Sequence, residues 1–158
     1  MTRNRSPKTD RRGAVAVEFA VIAPVLMAIA VGMIEVNRVY EAQNLLATAA
    51  REGARFASMD REGLLRDGQT ANQKLSDDVK TFLASNGIPR DSVQVGIKDH
   101  DNPSLDFDID EPTNDLRLFE VQVSADYSGV SYSPVAPGDD YSMSATMVFR
   151  NGRATISQ

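Results

Sequence analysis

The chain has no cysteine and no tryptophan among its 158 residues, and only one histidine, His100. The missing cysteine excludes disulfide scaffolds, thiol catalysis and thiolate-ligated metals, and leaves export open. No His-Glu-x-x-His, phosphate-binding glycine loop or Gly-x-Ser-x-Gly elbow is present either. Enzyme activity therefore has little support, and no cofactor is implied. A basic body, which a nucleic-acid binder would carry, is absent too: the net charge is -5.

That charge is unevenly placed. Before Gly13 stand Arg3, Arg5, Lys8, Arg11 and Arg12 against Asp10, giving +4, so the remainder carries -9. Behind this basic head runs an apolar stretch, Ala14 to Ile34, whose only ionisable group is Glu18. Its 21 residues span about 30 Å as a helix, one hydrocarbon core. Arg11 and Arg12 hold the N-terminus in the cytoplasm by the positive-inside rule, which puts the body on the outer side. The competing reading is a buried helix of a soluble domain, and the flanking charges argue against it. An ionised carboxylate at membrane depth costs about 2.5–3.5 kcal/mol, so Glu18 calls for a partner.

The helical pattern continues past the apolar run. Val36, Val39, Tyr40, Gln43, Ala47, Ala50, Ala54 and Ala57 fall on one face, and Glu35–Arg38, Arg38–Glu41 and Glu52–Arg55 can pair. One helix over 14–57 is expected, kinked at Pro24 and stopped at Ser58-Met59-Asp60. Three segments result: a basic leader 1–13, a helix 14–57 (14–34 transmembrane, 35–57 amphipathic) and an outer head 58–158. Thr70 to Asn86 reads as a second helix with Leu75, Val79, Phe82 and Leu83 inward, ended by Asn86-Gly87. Alternation then predicts strands around Val93–Ile97, Val121–Tyr127 and Met143–Phe149. Leu116 and Leu118 lie out of phase with Val121, which predicts a bulge or register change near Phe119. The fold class is α+β: a long N-terminal helix packed on a small antiparallel sheet, with one extra helix.

Two cleavage sites are open. Ala28-Ile29-Ala30 suits a secretory signal peptidase, and would free an acidic domain after Ala30. Cleavage between Gly13 and Ala14 would instead leave the apolar helix on the mature chain, with Glu18 as its fifth residue. The carboxylate then lies about 6 Å along the helix from the new amine, within reach of a neighbouring subunit's amine. Ala16/Ala20 and Ala28/Gly32, small residues four apart, would let such helices approach closely. The small residues Ala47, Ala49, Ala50, Gly53 and Ala54 leave a slim surface that can pack on the head's own sheet or on other helices, the former being favoured.

Gly13, four residues, Glu18 and Phe19 resemble the processing site of type IVb, or Flp-type, prepilins. With Pro24, Glu35-Val36-Asn37-Arg38 and Ala49-Ala50-Arg51-Glu52-Gly53-Ala54-Arg55, the stretch from Gly13 to Ala57 is similar to the TadE-like minor pseudopilins of the Tad (tight adherence) pilus system. Asn37-Arg38 departs from the Gly-Arg common in such families. The resemblance implies a pilin-like fold and cleavage after Gly13 by a membrane prepilin peptidase. Ala14 would be the new N-terminus, Glu18 the assembly carboxylate, Phe19 the aromatic position and Pro24 part of the assembly helix. It implies a single-pass protein of the bacterial inner membrane, or of the pilus, with its head on the periplasmic side. Partners would be the peptidase, other Tad minor pseudopilins and pilus assembly proteins, in pilus assembly, adhesion or secretion. The rival reading is an uncleaved single-pass anchor carrying an outer binding module.

One further candidate is the acidic stretch Asp99, Asp101, Asp106, Asp108, Asp110, Glu111 and Asp115. Asp106, Asp108 and Asp110 offer hard oxygens for calcium, but the EF-hand pattern fails at Glu111 and Arg117, and a solvated loop is the simpler expectation.

Overall fold

The computed structural model describes residues 11–59, 63–130 and 141–152. Most of the expected leader, residues 1–10, lies outside them, as does Asp60 of the expected helix stop. The chain divides into two compact units, 1–37 and 38–158. Helix α1 (Arg11–Ala57) has residues in both.

In the first unit α1 is apolar and exposed. Val15, Val17, Phe19, Val21, Leu26, Ile29, Met33 and Ile34 each leave more than half their surface bare. Pro24 lies inside the helix and, lacking an N–H, leaves the Ala20 carbonyl without its intrahelical donor.

The second unit is an α+β fold. Its helices are residues 38–57 of α1 and α2 (Ala71–Ser85); its strands are β1 (Val93–Asp99), β2 (Leu118–Asp126) and β3 (Ser142–Arg150). The strands form an antiparallel meander, ordered β1-β2-β3. Period two sends Phe119, Val121, Val123 and Ala125 inward, where they meet Val93, Ile97 and Met143 from the neighbouring strands. Two helices complete this core: α1 with Ala42, Leu46, Ala49, Ala50, Ala54 and Ala57, α2 with Ala71, Leu75, Val79 and Leu83.

Both ends of α2 are written in its sequence. Thr70 and Gln73 form a reciprocal capping box. At the other end Gly87 (φ 91°) donates to the Ala84 carbonyl, and Ile88 donates to that of Leu83. This Schellman motif buries Ile88 in the same core as Leu83, and the left-handed turn favours glycine at 87.

Two expectations need correction. The expected face of α1 is buried at Ala50, Ala54 and Ala57, but the stripe otherwise runs through Ala42, Leu46, Ala49 and Gly53: Val36 and Tyr40 are 54% and 63% exposed, and Gln43 is exposed. The expected stripe merged exposed apolar residues with the alanine face used by the core. There is also no bulge at Phe119, since both ladders run in unbroken register. Leu118 simply points to the outer sheet face, and Leu116 lies outside the strand in a left-handed conformation (φ 63°).

Gly53 sits where α1 meets α2. A Cβ there would stand 3.0 Å from Val79 Cγ2 and 3.2 Å from Leu75 Cδ2. Gly53→Ala gains about 1 kcal/mol of helix propensity, enough to offset a small adjustment of those side chains. Gly53→Leu forces overpacking that costs about 1–3 kcal/mol. Denaturant unfolding of the full chain in detergent should show the alanine variant near wild type and the leucine variant clearly destabilised.

Candidate functional site

The residues expected to matter most lie on the first turns of α1. Gly13 is helical and its surroundings are open: nothing lies within 4 Å of a Cβ built there. A helical glycine costs about 1 kcal/mol relative to alanine, and no packing contact demands it at 13. Ala14 and Glu18 are exposed and stand four apart on one helix face, with Phe19 beside them, 66% exposed. Glu18 is the single charge on a surface that includes an 18-residue window of mean hydropathy 2.5, none of it buried within the chain. Ala16, Ala20, Ala28 and Gly32 are likewise exposed. A surface this apolar in water would be unfavourable at roughly 25 cal/mol per Å², so its proper surroundings are lipid or other apolar helices.

Arg38 donates from Nη1 to the Val130 carbonyl at 3.0 Å. The Glu52–Arg55 ion pair expected along α1 is formed at 3.1 Å.

The acidic stretch is distributed over separate structural tasks. Asp99, buried, accepts from Arg117 at 2.5 Å and from the backbone N–H of Asp101 and Asn102. Asp106 pairs with Lys98 at 2.6 Å. Asp108 accepts from the Asp110 N–H, and Asp110 accepts from the Ala71 N–H at 2.7 Å, placing a carboxylate at the start of α2. The three calcium candidates Asp106, Asp108 and Asp110 are thus each engaged differently. Among the described residues no group of three or more acidic, histidine or cysteine side chains is gathered for a metal.

Two asparagines that hold this loop carry no local sequence signal. Asn72 on α2 donates to the Phe107 carbonyl and accepts from the Ile109 N–H, extending a strand-like pairing to a side chain. Asn151, fully buried, does comparable work after β3. His100 Nδ1 lies 2.9 Å from Glu120 Oε1. That hydrogen bond, with a second from Gln122, holds the Glu120 carboxyl below the usual range.

Residues 13–55 match the family model described as TadE-like protein. No curated protein and no solved structure matches the chain. The matched segment begins at Gly13 and ends two residues short of the end of α1. It coincides with the stretch that carries the resemblance, and is consistent with a TadE-like protein of the Tad pilus system.

Proposed function

We propose that this chain is a minor pseudopilin of a Tad/Flp-type pilus system, a structural subunit rather than an enzyme. A prepilin peptidase removes residues 1–13, and Ala14 becomes the mature N-terminus. The apolar part of α1 holds the protein in the inner membrane, single-pass, with the second unit on the periplasmic side. Assembly with other pilus subunits proceeds through this helix. Glu18 pairs with a neighbour's terminal amine, Phe19 packs beside it, and Pro24 shapes the helix. The observation that carries the reading is an apolar helical surface with one carboxylate, inside a segment that matches TadE-like proteins.

The mature N-terminus tests this against its rivals. Edman sequencing or intact mass of protein purified from its native membrane should give Ala14. Met1 or Thr2 would support an uncleaved anchor with an outer binding module. Val31 would support a secreted acidic domain cut after Ala30, a fragment that keeps every residue of the second unit.

A further inference from the structure

Two Asn-Gly dipeptides occur in the chain, Asn86-Gly87 and Asn151-Gly152. Glycine has no Cβ, so its main-chain nitrogen can approach the carboxamide carbon of the preceding asparagine more closely than any other residue allows. The two dipeptides are chemically identical, so the fold decides which of them can react. Asn151 is held shut. Its side chain has no solvent exposure, and Nδ2 donates to the carbonyls of Ile109 (3.1 Å) and Asn114 (3.2 Å). Its N–H donates to the Arg117 carbonyl at 2.9 Å, and its own carbonyl accepts from the Leu116 N–H at 2.7 Å. A Cβ on Gly152 would stand 3.4 Å from the Ser58 carbonyl oxygen. The carboxamide cannot turn toward the glycine nitrogen, or meet water, without opening the core.

Asn86 stands at the other extreme. It and Gly87 are exposed, and among the described residues nothing lies within 4 Å of a Cβ built at 87. Both line an open cleft of about 80 Å³ with Arg38 and Glu41. They are held only as the last turn of a helix is held. Asn86 Nδ2 donates to the Phe82 carbonyl at 2.8 Å, and the Gly87 N–H donates to that of Ala84 at 3.2 Å. Helix ends fray at far lower free energy than cores open. When this turn frays, both reacting groups are released together, and they are already in water.

We propose that Asn86 is a self-modification site, converted to an acid by its own main chain, and that the conversion loosens the end of α2. The Gly87 nitrogen attacks Asn86 Cγ, and its proton passes through water to Nδ2. The N–Cγ bond forms, the Cγ–Nδ2 bond breaks, and Nδ2 leaves as ammonia. Water then opens the succinimide ring at either acyl bond, giving aspartate or isoaspartate; no oxidant or reductant takes part. The product places a carboxylate at the negative end of the α2 dipole and removes the donor to Phe82. Isoaspartate also adds a main-chain carbon within the turn that carries Ile88 into the core. The inference does not depend on the pilus reading.

The test keeps the full chain in detergent micelles at mildly alkaline pH for weeks and maps the amide-to-acid mass change by peptide. The tryptic peptide Thr81–Arg90 reports Asn86, and the chymotryptic peptide Arg150–Gln158 reports Asn151. In the folded chain, conversion at 86 should be at least about a hundredfold faster than at 151, because the helix end opens so much more often than the core. In concentrated denaturant the two rates should come together, which assigns the difference to the fold. The converted form, separated by its extra negative charge, should unfold at lower denaturant than the starting protein. No conversion at 86 in the folded chain, rates that already match there, or a converted form of undiminished stability would each overturn the proposal.

Discussion

Gly13→Trp should accumulate as an uncut precursor, thirteen residues longer than the mature chain. The effect is expected to be near complete, because the indole would stand at the bond the peptidase must admit. Folding offers no competing explanation. Among the described residues nothing lies within 4 Å of a Cβ built at 13, and tryptophan is a better helix former than glycine. Gly13→Ala, by contrast, is small enough to be processed. Immunoblots of membranes expressing each variant, followed by intact mass, separate the outcomes. Normal maturation of the tryptophan variant would sink the peptidase hypothesis.

Glu18→Ala should do the opposite: mature normally and assemble poorly. Two opposing energies of similar size decide the outcome. Holding the ionised carboxylate at membrane depth costs about 2.5–3.5 kcal/mol. Pairing with an amine 4 Å away returns about 4 kcal/mol at an effective dielectric of 20. Such a pair would narrowly compensate the charge, while a helix without it would gain insertion and lose its subunit contact. Even a partial loss of 1.4 kcal/mol lowers association tenfold. Co-purification with pilus components and pilus counts by microscopy should therefore fall at least that far. Glu18→Gln, which keeps shape and removes charge, should resemble alanine. Full pilus function in Glu18→Ala would remove the pairing role from Glu18.

Much of the second unit was legible because its signals are local. Thr70, Gln73 and Gly87 mark the ends of α2 through hydrogen bonds made within a few residues. The alternation at Val121, Val123 and Ala125 gives the inward face of β2 directly. The α1 stripe was misplaced because periodicity counts apolar side chains without saying what they face. Tyr40 and Val36 qualify as apolar, yet both are exposed. The bulge at Phe119 failed for a related reason: Leu118 was read as an inward residue, whereas it lies on the outer face of the sheet opposite Arg150. Asn72 and Asn151 could not be foreseen, since each bonds backbone more than thirty positions away. At the proposed processing site the sequence was the better guide. Among the described residues nothing touches Gly13 or Glu18 in a way that explains them, so the sequence pattern around them carries more than the fold does.

The alanine face of α1 also limits how this protein can be recombined. A head taken from residue 58 onward would lose Ala42, Leu46, Ala49, Ala50, Ala54 and Ala57 from its core, leaving the inner sides of α2 and the sheet bare. It is therefore not a portable module. Chimaeras that graft this head onto another anchor should join at or before Arg38, where the compact unit begins. A lineage exchanging heads between anchors by recombination would meet the same boundary.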